Sequence, residues 1–352
     1  MAQLRGAVIG YGLAGSVFHA PLIASTPGLV VSTVVTGNPQ RQAEARQAHP
    51  ESQVLSDPAE VFERASEYDF VVVAAPNDVH VELTRRALDA GLPVVVDKPL
   101  APTAAEAQSL VEQAEGLGVL ITAYMNRRWD SDQLTLRRLL DEGKLGEVLR
   151  YESRLERWQP ALSRRKPWTE VSPPEAGGGV LLDLGSHLVD QAIVLFGAVV
   201  RVYAELESRR GGVADDDAFV ALEHRSGARS HLWASLLAAT PGPRLRVLGD
   251  RAAYIVTDLD GQEDALRSGA RPSGDEAWGT EPPERRGRLI SEERSEAIVS
   301  ERGDWPRFYI GLERALREGS QAPVDPWEAV TGLEVLDAAR RSAATATVVA
   351  LR

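Results

Sequence analysis

Residues 6–21 read GAVIGYGLAGSVFHAP, and this stretch decides the fold of the first part of the chain. An apolar run ends at Ile9, and three glycines follow at the spacing G-x-G-x-x-G. Between a strand and a helix, such glycines permit a tight turn and close approach of a pyrophosphate, which the positive end of the helix attracts. This context favours dinucleotide binding over a turn that only packs helix on strand. The predicted cofactor-binding turn consists of Gly10, Tyr11, Gly12, Leu13, Ala14 and Gly15.

The segments around this turn alternate between apolar runs and helical patterns. The predicted strands are 6–9, 30–35, 70–74, 93–96 and 119–122, and the predicted helices are 14–25, 39–48, 58–64, 80–90 and 103–117. Continuous apolar strands separated by helices indicate parallel strands covered on both faces. We therefore predict an α/β Rossmann domain over residues 1–124, with a doubly wound parallel sheet.

Residues 125–352 have a different sequence pattern, and we predict an α+β substrate-binding and oligomerisation domain there. A helix over 130–142 leads to alternating strands, which are typical of an antiparallel sheet with one exposed face. HRSGAR, residues 224–229, predicts a hairpin turn. Residues 258–304 are expected to be mostly loop, and helices at 305–318 and 326–342 close the chain.

Composition limits the classes of function. The 352 residues include no cysteine, which excludes disulfides, thiolate catalysis and cysteine-ligated zinc. The formal net charge of −12 argues against nucleic acid or an anionic membrane as the main partner. Neither a signal peptide nor an apolar stretch of about 18 residues is evident, so a cytoplasmic enzyme or sensor is expected.

The end of the second strand bears on the choice of cofactor. NAD-specific folds place an acidic residue there to hold the ribose 2′-hydroxyl. Here the segment reads VVTGNPQR, residues 34–41, and no Asp or Glu occurs before Glu44. Thr36, Asn38 and above all Arg41 suit a 2′-phosphate, although Arg41 also fits a solvated helix residue. We favour NADP, with NAD as the alternative.

Two further strand ends carry candidate residues. VVVDKPLAPT places Lys98 at the carboxyl edge of the sheet, where it could hydrogen-bond a substrate hydroxyl or the cofactor. An ordinary surface pair of Asp97 and Lys98 is the alternative. AAPNDVH, residues 74–80, offers Pro76, Asn77 and His80 to the cofactor.

A second constellation is GGGVLLDLGSHLVDQ, residues 177–191. In one helix, Asp183, His187 and Asp190 would share a face. His187 can exchange a proton near neutral pH, and Asp183 can orient it. A structural histidine is the alternative, and a divalent metal is a weaker one because hydride transfer needs no metal.

Weaker candidates lie elsewhere in the second part. YMNRRWD, residues 124–130, offers Asn126, Arg127 and Arg128 to a polyhydroxylated ligand. Trp158 and Trp168 flank a possible cleft, whereas residues 215–217 are predicted to be a solvated loop.

Together these motifs resemble the glucose–fructose oxidoreductase / inositol dehydrogenase family of two-domain, nicotinamide-dependent sugar and polyol oxidoreductases. The resemblance covers nearly the whole chain. It rests on the glycine turn, on Asp97-Lys98-Pro99 in place of Glu-Lys-Pro, and on the glycines that precede Asp183 and His187. GYGLAGSVFHAPL, NRRWDSDQLT, LLDLGSHLVDQ and DGQEDALRSG resemble the branch of NADP-dependent scyllo-inositol dehydrogenases.

The resemblance implies that Lys98, Asp183 and His187 form the catalytic set, with His187 as proton acceptor. Predicted substrate contacts are Lys98, Asn126, Arg127, Trp158, Asp183 and His187. It also implies a large open antiparallel sheet that forms homodimers or homotetramers. Asp97 is one methylene shorter than the usual Glu, and Met125 replaces a His of close relatives. We expect a polyol or sugar dehydrogenase, most simply of scyllo-inositol; another sugar, a non-catalytic NADP sensor and a metal-dependent isomerase are the alternatives.

Overall fold

The computed structural model describes residues 2–163, 170, 172–272 and 277–351. The chain divides into two compact units. The first comprises Met1–Asn126, Gln262–Trp278 and Trp305–Val330, and the second comprises Arg127–Gly261, Gly279–Asp304 and Thr331–Arg352. The division predicted from sequence, at 124/125, is a single cut along the chain, whereas two later segments belong to the first unit in space.

The first unit contains a six-stranded parallel sheet in the order β3-β2-β1-β4-β5-β6, which confirms the predicted doubly wound sheet. Its strands are β1 Leu4–Ile9, β2 Leu29–Val35, β3 Gln53–Leu55, β4 Phe70–Val73, β5 Val94–Asp97 and β6 Ile121–Tyr124. Every residue of β4 and Val94–Val96 of β5 are buried, as expected for strands covered on both faces. The short strand β3 has too few apolar residues for periodicity to reveal it.

Helices follow the strands of this sheet. They are α1 Ala20–Ser25, α2 Pro39–Ala48, α3 Ala59–Glu63, α4 His80–Asp89 and α5 Ala104–Leu117, with 3₁₀ turns at Ala65–Glu67 and Asn77–Val79. The predicted helix 14–25 begins as a π-helical turn, Ala14–His19, in which Ala20 N–H donates to Gly15 O. Pro21 has no N–H to continue the α-helical ladder, so the wider turn precedes it.

The second unit contains a nine-stranded mixed sheet in the order β14-β13-β12-β11-β7-β10-β9-β8-β15. Its strands are β7 Val148–Glu156, β8 Val199–Glu207, β9 Asp217–His224, β10 Arg229–Ser235, β11 Leu245–Gly249, β12 Ala253–Val256, β13 Arg288–Ile290, β14 Ser295–Ala297 and β15 Val349–Ala350. All neighbours are antiparallel except β7 and β10. The predicted hairpin joins β9 to β10, and Gly227 in its turn has φ +94°.

The other helices within the described residues are α6 Ser131–Asp141, α7 Val180–Asp183, α8 Gly185–Phe196, α9 Gln262–Arg267, α10 Pro306–Glu318 and α11 Pro326–Thr345, with 3₁₀ turns at Asn126–Trp129, Pro174–Ala176 and Pro283–Arg285. The prediction that 258–304 is mostly loop missed α9, β13 and β14.

In β9, alternate residues from Ala218 to His224 are buried, so one face of the sheet is packed. Tyr151 of β7 packs on Phe196 of α8, with ring centroids 5.2 Å apart.

None of the helices in the described residues is, taken singly, long and apolar enough to cross a membrane. One bent pair, Pro174–Asp183 with Gly185–Phe196, is long and apolar enough when its two segments are taken together, by length and composition only.

Candidate active site

The candidate residues fall into two groups, one in each unit. In the first unit they follow the carboxyl ends of β1, β2, β4 and β5, which lie at one edge of the parallel sheet. Ligands of open α/β sheets bind at this edge, where the strand order reverses next to β1. The sheet therefore gathers four separate sequence motifs in one region of the first unit.

The glycine turn has little room for side chains. Gly10 has φ +97°, and a Cβ there would lie 2.4 Å from Ala74 O. A Cβ on Gly15 would lie 2.0 Å from Gly10 O, whereas a Cβ on Gly12 would meet only the guanidinium of Arg41, at 3.8 Å. Gly10 and Gly15 are thus required by the turn itself, and Gly12 leaves its surface open for a ligand.

The neighbours of these glycines differ in exposure. Tyr11 is buried with its ring edge-on to His49, at 6.2 Å between centroids, and burial raises the pKa of its phenol. Leu13 is exposed, and Ala14 begins the π-helical turn. The turn therefore presents backbone and apolar side chains rather than charged groups.

Arg41 lies beside the glycine turn. Asn38 caps α2 by accepting the N–H of Arg41 at 3.1 Å, and the side chain of Thr36 is buried at the end of β2. Within the described part of the chain, the guanidinium of Arg41 has neither a hydrogen bond nor an ion pair. The guanidinium is a cation whose nearest nitrogen lies 3.8 Å from the Cβ position of Gly12, and such a cation can bind an anionic group of a ligand.

The third motif gives a correction. Pro76 and the buried Asn77 lie at the end of β4, as predicted, at the start of a 3₁₀ turn. His80, however, is fully buried, and its Nδ1 and Nε2 lie 2.9 Å from Pro99 O and 2.9 Å from Ala75 O. Both ring nitrogens face backbone carbonyls, so the ring holds two loops together and does not present a nitrogen to a cofactor.

Lys98 follows the last residue of β5, and its bond to Pro99 is cis. The carboxylate of Asp97 lies 3.4 Å from Nε2 of His19. Burial raises the pKa of Asp97, but the adjacent His19 and the nearby Lys98 and His80 lower it further, and the net pKa is lowered. Asp97 is therefore a largely buried carboxylate, with 16% of its side chain exposed, and it lies against the buried ring of His19.

In the second unit, the glycines before Asp183 pack against backbone and a carboxylate. A Cβ on Gly178 would lie 1.9 Å from Ser172 O, and one on Gly179, at φ +93°, would lie 2.1 Å from Asp215 Oδ1. Asp215 accepts the N–H of Leu181 at 2.6 Å and so caps α7. The glycines thus let Asp215 reach the start of the helix.

The predicted single helix through Asp183, His187 and Asp190 is wrong. The chain breaks at Leu184, and the segments Pro174–Asp183 and Gly185–Phe196 are bent by 62°. Asp183 therefore ends one helix and is half-buried, while His187 lies in the first turn of the next and is 6% exposed. Only His187 and Asp190 share the face of one helix.

Asp190 binds Arg128 and is not available to a ligand. Arg128 donates from Nε at 2.9 Å and from Nη2 at 2.5 Å to the two carboxylate oxygens. Gln191 donates to Arg127 O at 3.0 Å and accepts from Arg244 at 2.9 Å. These buried contacts fix α8, which carries His187, to the segment after Asn126.

The remaining predicted residues are dispersed. Arg127 pairs with the buried Asp130 at 3.2 Å, Asn126 is 6% exposed, and Trp158 is 56% exposed and bridges to Leu237. Trp168 lies outside the described residues. Asp215–Asp217 was predicted to be a solvated loop, and this was wrong: Asp215 caps α7, and the 2% exposed Asp216 pairs with Arg210.

The structure also brings forward His19, which the sequence analysis passed over. Its ring is fully buried between Asp97 and Tyr309. The sequence signal was a histidine four residues after Gly15, inside an otherwise apolar helix start. Tyr309 lies far along the chain, so no local pattern could have paired them.

The first unit fits a nicotinamide dinucleotide. The open surface at Gly12, between the end of β1 and the helix that follows, suits a pyrophosphate. Among the described residues, no group of three or more His, Asp or Glu side chains is arranged to hold a metal ion.

Comparison with known proteins agrees with this architecture. Residues 4–125 match the model of the NAD-binding Rossmann fold of the GFO/IDH/MocA oxidoreductase family, and residues 137–351 match its C-terminal alpha/beta domain. The uncharacterised oxidoreductase YdgJ of Escherichia coli K12 is 37% identical, covering 97% of this chain and 96% of YdgJ. The scyllo-inositol 2-dehydrogenase (NADP(+)) IolW of Bacillus subtilis 168 is 33% identical, covering 96% of this chain and 93% of IolW. The solved structure of Bacillus subtilis YvaA superposes with a TM-score of 0.91 at 31% identity, covering 99% of each chain.

Proposed function

This chain belongs to the GFO/IDH/MocA oxidoreductase family, and from that premise we propose that it is an NADP-dependent dehydrogenase of a cyclic polyol or sugar, with scyllo-inositol and its keto form as the leading pair. The observation that carries the cofactor assignment is the guanidinium of Arg41, 3.8 Å from the Cβ position of Gly12, in a segment without acidic residues. The substrate assignment is supported by the 33% identity to IolW.

The proposal gives each residue a role. The bound cofactor supplies or accepts the hydride, which is the hard chemistry of the reaction. Lys98 donates a hydrogen bond to the reacting oxygen and stabilises negative charge on it. His187 holds the proton that the hydroxyl loses on oxidation and returns it on reduction, and Asp183 binds a substrate hydroxyl and orients His187.

Initial rates test this assignment. NADP and NAD are each assayed with scyllo-inositol, myo-inositol, glucose and xylose. We expect turnover of scyllo-inositol with a clear preference for NADP. A preference for NAD would contradict the role of Arg41. Turnover of a sugar but no inositol would favour another substrate. Tight NADPH binding without any turnover would favour a sensor.

We also propose that the chain works as a homo-oligomer in the cytoplasm, assembled through the outer face of the nine-stranded sheet. This face carries Phe219 and Trp233, whose rings are 5.2 Å apart, with the guanidinium of Arg154 3.9 Å from the centre of Trp233. Light scattering after size exclusion should give a dimer or tetramer. Trp233→Glu should reduce it to monomers, while Leu117→Glu, at an exposed leucine of the first unit, should not.

A further inference from the structure

Two buried histidines hold the residues on either side of Lys98. The ring of His19 is fully buried, and its Nδ1 lies 2.6 Å from the hydroxyl of Tyr309. Burial raises the pKa of Tyr309 well above its ordinary value, so the phenol stays protonated, and we assign its hydroxyl as the hydrogen-bond donor to Nδ1. Nε2 then carries the ring proton and faces Asp97 at 3.4 Å.

The second histidine acts on the other neighbour of Lys98. Nδ1 of His80 lies 2.9 Å from the carbonyl oxygen of Pro99, and Nε2 lies 2.9 Å from that of Ala75. His80 begins α4, and Ala75 belongs to the loop after β4. The turn that contains Lys98 is therefore tied to the neighbouring strand end on one side and to the helix after the glycine turn on the other.

The π-helical turn explains how His19 reaches Asp97. It places the histidine at the last position of the turn, directly before the helix that contains Pro21. Tyr124, the last residue of β6, lies against the ring with centroids 4.4 Å apart. The ring is thus fixed by packing as well as by its nitrogens.

We propose that His19 and His80 are positioning residues, which fix Asp97 and Pro99 and thereby set the direction of the Lys98 ammonium. This inference rests on the proposed function for the catalytic role of Lys98, but its structural content does not. Neither histidine touches the reacting atoms, and each acts through a neighbour of Lys98.

The two positions predict opposite results for the same pair of substitutions. An asparagine amide takes the place of Nδ1, and a glutamine amide takes the place of Nε2. His19→Gln keeps the contact with Asp97, whereas His19→Asn loses it. His80→Asn keeps the contact with Pro99, whereas His80→Gln loses it. A merely structural role would not produce this crossed pattern.

The sequence offers a readout that does not depend on activity. The chain has only three lysines, Lys98, Lys144 and Lys166. Reductive ¹³C-methylation therefore gives few dimethyl-lysine signals, and Lys98→Arg assigns the one from Lys98. We expect one sharp Lys98 signal in the wild type, His19→Gln and His80→Asn. In His19→Asn and His80→Gln the signal should shift or split.

If the proposed function holds, the same two disruptive variants should lose about 10- to 100-fold in kcat with little change in NADPH affinity, as expected when a reacting group is misplaced. His224→Asn is the matched control: its ring is also buried, between Gly197 O and Ser230 Oγ, but in the second unit, and it should leave the Lys98 signal unchanged. Tyr309→Phe removes the hydroxyl that keeps the ring proton on Nε2, so the proton can move to Nδ1, a change that a glutamine amide at position 19 cannot undergo; this variant serves if His19→Asn does not fold. It should move the Lys98 signal in the same direction as His19→Asn, by less.

A Lys98 signal that is unchanged in the folded His19→Asn, His80→Gln and Tyr309→Phe variants overturns the inference. A crossed pattern in the signal, with no turnover of any polyol by the wild type, supports the positioning and rejects only the proposed substrate.

Discussion

The two groups of candidate residues are held by different means. In the first unit they follow the ends of parallel strands, so the backbone of the sheet sets their places. In the second unit Asp183 and His187 flank a break between two helices, and buried side-chain pairs fix the helix with His187. A strand end can be recognised from local sequence, whereas a helix held by distant partners cannot. Four changes test this contrast, in order of decreasing effect.

The largest effect is expected at a strand end. Lys98→Ala should lower kcat by about 10²–10⁴-fold, because it removes the hydrogen-bond donor to the reacting oxygen, while the NADPH dissociation constant stays within about twofold. Steady-state kinetics and fluorescence titration measure the two. Lys144→Ala, at an exposed lysine after α6, is the matched control and should match the wild type. Unchanged turnover in Lys98→Ala would remove this residue from the reaction.

The next largest effect is expected in the second unit, where a buried ion pair is removed. Asp190→Ala should lower the free energy of unfolding by about 3–5 kcal/mol, because it leaves the buried Arg128 without its carboxylate. Urea denaturation measures the change. The control is Glu223→Ala, which removes the exposed pair with Arg201 and should cost at most about 1 kcal/mol. Equal losses in the two variants would mean that α8 is not held by Arg128.

These two regions also differ in how far the sequence predicted them. The parallel sheet, the glycine turn and Lys98 followed from apolar runs and glycine spacing, and the sheet is confirmed. The break at Leu184 could not be predicted from the sequence, because the apolar periodicity continues through it without interruption. The cap that Asp215 gives to α7 spans 34 residues, so no local pattern relates it to the helix it stabilises.

His80 and His19 show the same limit within the first unit. His80 was placed correctly after β4, but its ring partner Pro99 lies 19 residues away in sequence. His19 and Tyr309 are separated by 290 residues, so their contact is visible only in the fold. The positions of the strand ends could be predicted from the sequence, whereas the side-chain contacts of His19 and His80 that connect them could not.

A smaller effect concerns cofactor choice at the glycine turn. Arg41→Ala should raise KM for NADP by about 10- to 100-fold, equivalent to about 1.5–3 kcal/mol for a charged hydrogen bond, and leave KM for NAD unchanged. Initial rates with both cofactors measure the ratio. Arg46→Ala, on an exposed arginine of the same helix, should leave the ratio as it is. Equal losses with both cofactors would place Arg41 on the shared pyrophosphate instead.

The smallest effect is a dependence of stability on pH at Asp97. Burial raises the pKa of this carboxyl, but His19 and the nearby positive charges lower it further than burial raises it, so the folded value lies below that of the unfolded chain. The unfolded state therefore takes up the proton first as the pH falls. The stabilisation from Asp97 is complete above the ordinary aspartate pKa and is lost as the pH falls through the lower, folded value.

Denaturation of the wild type and Asp97→Asn over this acidic range measures the dependence. The variant has no proton to take up at this position, so the wild type should lose its advantage as the solution becomes more acidic. In the His19→Asn background, Asp97 loses its contact with Nε2, and the dependence should become smaller. A wild-type advantage that is constant with pH would show that the contact between His19 and Asp97 does not stabilise the carboxylate, and the strand end would then depend on its backbone alone.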